Sequence, residues 1–248
     1  MRFTILLLLL PFSVLASKVQ EMYIAAKSGL SLRSGQSASC TLIAKINYGE
    51  KVTVLSYDSS LVVEGFQTVW ARVKYKEKEG YVASIYLFKY PPPKQGTDSV
   101  KNYFKQLSAL VGPPVENGGN GVDDEEEGLC WIRKSFYKNG FEHHEMIGYE
   151  YGSSMYILPN IDLQHVFQLF RALPEFKRFI NASSPFPFSS KTINSTHKIT
   201  VLQTLDEKGV PNPYAIESIK FYSEDFDIAE LEFFEKEGQV FVIFGSGV

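Results

Sequence analysis

Apolar and polar residues alternate in short runs through residues 22–89, and glycines recur where the chain must turn. In Val52-Thr-Val-Leu and Trp70-Ala-Arg-Val, every second residue can face a core while its neighbours face solvent, which is the periodicity of a β-strand. The pattern therefore predicts a small all-β barrel. Its strands are expected near residues 22–26, 42–46, 51–57, 69–75 and 79–83, with a short turn at 84–86.

Three consecutive prolines, Pro91 to Pro93, interrupt the alternation. Proline cannot donate a ladder hydrogen bond, and a run of prolines favours a stiff, extended segment. This segment predicts a domain boundary. We expect a barrel over residues 17–90, a proline-rich linker over 91–96 and a second domain over 97–248.

The second domain is expected to be α+β. The dipeptide Asn139-Gly140 favours a tight turn, so residues 129–150 are predicted to form a β-hairpin, with a third strand near 155–158. Asn160 or Asp162 is expected to cap a helix whose apolar residues recur at helical spacing, namely Ile161, Val166, Phe167, Phe170, Leu173 and Phe176. Four more strands are expected at 198–204, 216–223, 228–235 and 239–244. An antiparallel meander packed on the central helix would bury both apolar faces.

The first residues have the features of a secretory signal peptide. Arg2 supplies a positive charge, residues 3–15 form a leucine-rich apolar run, and Ala16 offers a cleavage position. The run is shorter than the ~20 apolar residues of a membrane-spanning helix. We therefore expect residues 1–16 to be removed and the mature chain to be periplasmic, at the cell surface or secreted. The formal charge of −3 argues against a nucleic-acid partner.

The barrel segment resembles the bacterial SH3-like domain (SH3b). Four motifs occur in the family's order: Leu30-Ser-Leu-Arg with a small-residue turn, the strand from Gly49 to Leu55, Trp70-Ala-Arg-Val, and Gly80-Tyr-Val to Leu87. Gln36 stands where the family usually has proline, and Tyr81 replaces the more frequent tryptophan. The resemblance covers about the first third of the chain. It implies binding of cell-wall peptide or of a protein, and not catalysis.

Aromatic residues of the barrel are the candidate ligand-binding residues. Trp70 and Tyr81 occupy motif positions of the family, and Tyr48 and Tyr57 are expected near loop edges. Tyrosine and tryptophan offer apolar area with a polar handle, which suits peptides or glycans. Each of them is equally compatible with packing in a small core. No cofactor or metal is expected.

The two cysteines, Cys40 and Cys130, allow one disulfide bond in an exported chain. The alternative is two buried free thiols. Cysteine peptidases that accompany SH3b domains place the nucleophile in Asp-Cys-Ser-Gly at the start of a helix. Cys130 lies in Gly128-Leu-Cys-Trp at the start of a predicted strand, so it does not match that motif.

The cluster Glu142-His143-His144-Glu145 is the strongest candidate for hydrolytic chemistry. On a strand, His143 and Glu145 would face one side, which is too few ligands for zinc. The carboxylate-rich loop 116–128 lacks the alternating spacing of a calcium loop. We therefore expect an exported, non-catalytic binding protein of the bacterial cell envelope that recognises peptidoglycan peptide or an envelope protein. The alternative is an envelope hydrolase with a catalytic second domain, which would require His143, Glu145, His165 and Cys130 to converge.

Overall fold

The computed structural model describes residues 20–118, 129–148, 151–205, 209, 211–224 and 228–247. The predicted signal peptide and most of the carboxylate-rich loop 116–128 lie outside the described residues. None of the described helices is both long and apolar enough to cross a membrane.

Residues 20–88 form a curled antiparallel sheet, hereafter the barrel. Its interior is filled by alternate apolar side chains, and Ile24, Leu32 and Val73 are fully buried. The five predicted strands are present, but the prediction missed two short strands and the full length of the central hairpin. The strands are β1 (Gln20–Ile24), β2 (Leu30–Arg33), β3 (Leu42–Ile46), β4 (Lys51–Val63), β5 (Phe66–Tyr75), β6 (Lys78–Ala83) and β7 (Leu87–Phe88), in the sheet order β3-β2-β6-β5-β4-β1-β7.

The β4–β5 hairpin extends beyond the barrel as an arm. Val63 pairs with Phe66, so two residues form the turn, and both have positive φ: 50° at Glu64 and 77° at Gly65. A two-residue turn with positive φ at both positions matches the right-handed twist of paired strands. The arm therefore ends in a tight turn that carries Phe66 away from the barrel interior.

The second half of the chain contains one large antiparallel sheet. The predicted hairpin and the predicted meander are joined into it, because the strand around Tyr156 pairs with the last strand around Val242. The strands are β8 (Val115–Gly118), β9 (Leu129–Phe136), β10 (Glu142–Gly148), β11 (Tyr151–Pro159), β12 (Lys191–Thr192), β13 (His197–Leu205), β14 (Pro211–Ser223), β15 (Ile228–Lys236) and β16 (Gln239–Gly247), in the order β12-β13-β14-β15-β16-β11-β10-β9-β8.

The helices are short, which makes the described chain mainly β. Helices α1 (Val100–Leu107) and α2 (Leu163–Phe170) have eight residues each. Asp162 caps α2, as predicted, by accepting a hydrogen bond from the backbone N–H of His165. The helix ends at Phe170, and Pro174 begins a 3₁₀ turn (Pro174–Phe176). The ring of Phe167 lies 5.4 Å from that of Phe233, so α2 contacts β15 of the sheet.

A continuous hydrophobic core joins the barrel to the second half. Phe66 and Phe88 of the barrel belong to the same buried cluster as Phe167 of α2. The proline segment packs as part of this interface: Pro92 and Pro93 are buried, and the hydroxyl of Tyr48 donates a hydrogen bond to the Pro93 carbonyl at 2.8 Å. The segment between the halves is therefore held by contacts on both sides.

Candidate functional site

A groove of about 480 Å³ lies between the barrel and α2. This volume is within the range of ligand pockets in proteins, ~300–1,000 Å³. One wall comes from the β1–β2 turn, β2 and the arm, and the other comes from α2 and the residues after it. We call it the barrel–helix groove; its lining includes Ala25, Lys27, Leu30, Arg33, Val62, Glu64, Trp70, Tyr86, Gln168, Arg171 and Ala182.

The barrel contributes aromatic and small side chains to this groove. Trp70 on β5 is 7% exposed and lines the groove, and Tyr86 comes from the 3₁₀ turn Ser84–Tyr86. Burial, together with the nearby Glu64 carboxylate, raises the pKa of Tyr86 to about 12, so its hydroxyl stays protonated as a hydrogen-bond donor. The lining also includes the small residues Ala25 and Ala83.

Two cationic side chains of the barrel line the groove. The Lys27 ammonium donates to the Ala172 carbonyl at 3.1 Å, and the Arg33 guanidinium donates to the Cys40 carbonyl at 2.8 Å. Both acceptors are neutral, and within the described part of the chain neither cation has a carboxylate partner. The positive charge that they bring favours an anionic group on a ligand.

An ion pair at the edge of the groove fastens the arm to α2. The buried Arg171 guanidinium bonds the half-exposed Glu64 carboxylate and lies 4.9 Å from the centre of the Phe66 ring. The arm is also held by its backbone, since the N–H of Phe186 donates to the Glu64 carbonyl at 3.2 Å. These contacts fix the width of the groove because they join its two walls.

The structure places one of the four predicted aromatic residues, Trp70, in the groove. Tyr48 is half-buried at the interface with the second half, where burial raises its pKa to about 12. Tyr57 is half-exposed and lines a separate cavity of about 320 Å³ that also contains His165. Tyr81 lies on β6, paired across the sheet with Arg33. The four side chains therefore do not form one surface.

Sequence reasoning missed the residues that α2 and the arm contribute to the groove. Gln168 and Arg171 come from the second half of the chain, and Glu64 comes from the turn of the arm. One signal was present: Gln168 is a polar residue inside an otherwise apolar helical segment, Val166-Phe-Gln-Leu-Phe. Its role depends on a barrel 80 or more residues away, which no local pattern reveals.

Of the two cysteines that could pair, the structure describes the side chain of Cys40. Cys40 is a free, half-buried thiol in the turn between β2 and β3, where its sulfur packs against Gly35. The side chain of Cys130 lies outside the described residues. The backbone of Cys130 belongs to β9, a strand as predicted, so it is not at the start of a helix.

The side chains of the histidine and glutamate cluster on β10 alternate between the two faces of the strand, as predicted. His144 and Glu142 contact each other at 2.9 Å on one face, while His143 and Glu145 interact on the other. His143 is 1% exposed and stacks on the Tyr156 ring at 4.6 Å. Burial lowers the pKa of His143 to about 4, so the imidazole is neutral at pH 7.

Glu145 and His165 have different partners. Glu145 bonds the Lys101 ammonium at 2.7 Å, which holds the pKa of its carboxyl below the usual value against the opposing effect of burial. His165 contacts Asp162 at 2.6 Å and the Ser84 carbonyl at 3.3 Å. Among the described residues, no group of three or more potential metal ligands occurs. The convergence that the hydrolase alternative requires is thus absent for His143 and His165.

Comparisons with known proteins bear on the barrel alone. No curated protein and no solved structure matches the chain. Residues 28–88 match the family model of the bacterial SH3 domain. The matched segment contains Leu30, Arg33, Trp70 and Tyr86 of the groove, and it confirms the resemblance that the four motifs indicated. The N-terminal third of this chain is therefore similar to the bacterial SH3 domain.

Proposed function

We propose that this protein is an exported, non-catalytic binding protein of the bacterial cell envelope, and that its ligand is a short peptide held in the barrel–helix groove. The carrying observation is that the groove is lined by residues of the bacterial SH3 domain on one side and by α2 on the other. A bacterial SH3 domain suggests a cell-wall-binding or protein-interaction module. Cell-wall peptide is the occupant that fits both this module and export through residues 1–16.

The composition of the groove supports a peptide rather than a large flat partner. Its apolar surface comes from Leu30, Val62 and Trp70, and charged side chains such as Lys27 and Arg33 lie beside it. Pockets for small ligands combine mainly apolar walls with a few polar groups that fix orientation. A ligand with a narrow backbone and small side chains fits between walls that are rich in alanine, glycine and serine.

Capture of purified cell-wall sacculi tests this proposal. We expect the mature protein to sediment with sacculi and the suspension to keep its turbidity. Val62→Glu should reduce capture at least ~10-fold, because a charge on the apolar wall must be desolvated when a ligand binds. Val62 is 70% exposed, so the substitution should leave the fold intact.

The matched control is Val111→Glu. Val111 is 67% exposed in the second half and does not line the groove. Capture that is equally strong in Val62→Glu and Val111→Glu would contradict the groove as the site. Failure of the unmodified protein to bind sacculi would contradict a cell-wall ligand. Loss of turbidity that disappears in His143→Ala would contradict a non-catalytic role and favour the hydrolase alternative.

A further inference from the structure

The two α-helices pack on the same face of the large sheet. The ring of Phe104 on α1 lies 5.8 Å from that of Tyr156, and the ring of Phe167 on α2 lies 5.4 Å from that of Phe233. Successive side chains of a strand point to opposite faces, so the neighbours of Tyr156 and Phe233 lie on the other face. We call this the outer face. It presents the apolar side chains of Phe136, Met155, Ile157, Phe234, Phe241 and Ile243.

The outer face is more apolar than the solvated face of an antiparallel sheet usually is. Such a face normally carries polar residues that alternate with the buried ones. Here the register sets Ile157 beside Phe241, whose ring stacks on that of Phe234 at 4.9 Å, and Phe136 is 37% exposed. The six apolar residues belong to neither of the two buried cores that the described residues form. An apolar patch of this kind marks an interaction surface.

A row of five residues crosses the outer face with opposite charges at its ends. Cross-strand register places in this row, from β9 to β15, Lys134, His144, Met155, Ile243 and Glu232. Within the described part of the chain, neither Lys134 nor Glu232 forms an ion pair. Four strand spacings of ~4.8 Å separate their backbones by roughly 19 Å, which is too far for the two residues to pair with each other. The row therefore offers one unpaired charge of each sign, with Met155 midway between them.

A two-fold axis parallel to β11 brings these charges together between two copies of the chain. When the outer faces are in contact, rotation about an axis through Met155 sets Lys134 of each copy against Glu232 of the other. The same rotation sets Phe136 of each copy against Phe234 of the other, because these residues occupy the same two strands in the neighbouring row. A contact of this type is isologous, and here it is complementary in charge and in apolar area.

We propose that the outer face binds a second copy of this chain, in a two-fold symmetric dimer whose large sheets pack face to face. Five strands and three rows of residues cover roughly 500 Å² of each copy, so the dimer buries about 1,000 Å², the lower end for a specific interface. Glu142, near the middle of the patch, contacts His144 at 2.9 Å and so keeps a partner within its own chain. The residues that line the barrel–helix groove are not among those of the outer face, so this inference does not depend on the proposed function.

Sedimentation velocity of the mature protein from ~1 to ~200 µM tests the dimer. We expect a monomer–dimer equilibrium with a Kd on the order of 10 µM, as suits an interface of this size. Met155→Glu should raise this Kd at least ~10-fold, because two carboxylates would meet on the axis and lose water there. The matched control is Leu42→Glu on β3 of the barrel, where Leu42 is 54% exposed, and it should leave the Kd unchanged. A protein that stays monomeric throughout, or a dimer that Met155→Glu does not weaken, would overturn the proposal.

Reversal of the two end charges tests the symmetry of the contact through rescue. Lys134→Glu or Glu232→Lys alone sets like charges against each other at two places in the dimer, so we expect roughly 10-fold weaker association. The double variant with both reversals restores opposite charges and should regain the affinity of the unmodified protein. Weakened single variants with an equally weak double variant would overturn the two-fold arrangement.

Vesicles of phosphatidylethanolamine and phosphatidylglycerol test a lipid surface as the other occupant of an apolar face. We expect the mature protein to remain in solution when these vesicles are sedimented. Vesicle binding that Met155→Glu abolishes, by a protein that stays monomeric up to ~200 µM, would overturn the second copy and assign the outer face to a membrane surface.

Discussion

Replacement of Phe66 by alanine should destabilise both halves of the chain together. Phe66 is fully buried, with its ring 5.6 Å from Phe186 and 6.1 Å from Phe167 in the second half. Burial of a phenylalanine removes ~150–250 Å² from water, worth roughly 4–6 kcal/mol at ~25 cal/mol per Å². Because Cβ remains and the site relaxes in part, we expect a loss of ~3–5 kcal/mol in the free energy of unfolding.

The two tryptophans of the chain provide one probe in each half. Trp131→Phe leaves Trp70 as the reporter of the barrel, and Trp70→Phe leaves Trp131 as the reporter of the large sheet. In urea titrations followed by fluorescence, the two probes should give coincident transitions, because the halves share a core. Phe66→Ala should shift both transitions to lower urea by the same free energy.

A shift confined to the Trp70 probe would refute the argument, since it would mean that the second half does not depend on Phe66. The control is Val62→Ala on the same arm. Val62 is 70% exposed, so its truncation should change the free energy of unfolding by less than ~0.5 kcal/mol at either probe. A large effect of Val62→Ala would show that the arm, and not burial of the ring, determines stability.

Three further predictions concern backbone strain and pH. Gly65→Ala should lower the free energy of unfolding by ~2–5 kcal/mol, because φ is 77° and the new Cβ would lie 2.8 Å from the Phe186 carbonyl oxygen. Thermal unfolding measures this loss, and an unchanged stability would contradict the turn geometry. The interaction with Asp162 outweighs burial and raises the pKa of His165. The pair therefore stabilises the fold below about pH 6.5, and this contribution is lost as pH rises through the raised pKa. The loss of stability in Asp162→Asn should shrink towards pH 8, and a loss that does not depend on pH would contradict the pair. Burial lowers the pKa of His143 to about 4. The free energy of unfolding should therefore fall from pH 6.5 towards pH 4, because the unfolded state takes up the proton first. In urea titrations at a series of pH values, His143→Gln should make the free energy of unfolding less dependent on pH over this range.

The features that were predictable from sequence are those fixed by local pattern. The alternation around Val52 and Val73 identified strands whose alternate residues are buried, and the spacing of Val166, Phe167 and Phe170 identified the buried face of α2. Asp162 was expected as a cap because a short polar side chain at a helix start satisfies backbone N–H groups. Each inference needs only residues a few positions apart.

The groove was not predictable because it depends on contacts between distant segments. Alternation shows that Trp70 and Tyr81 lie on particular faces of their strands, but it does not show which face the second half covers. The pairing of β11 with β16 joins residues about 90 positions apart, as between Tyr156 and Val242. The α+β prediction was met only in part for the same reason. Strands that were assigned to two separate groups form one sheet, and each α-helix has only eight residues.

A binding site shared by both halves has a thermodynamic consequence. A ligand that binds the docked arrangement and not the separated or unfolded chain stabilises that arrangement by mass action, ~2.7 kcal/mol at a ligand concentration 100 times Kd. The barrel–helix groove has this property, because the barrel forms one wall, and α2 with the residues after it forms the other. Weakening the interface should in turn reduce the fraction of binding-competent molecules and with it the apparent affinity. The shared core around Phe66 then contributes to binding, since it sets the distance between the two walls of the groove.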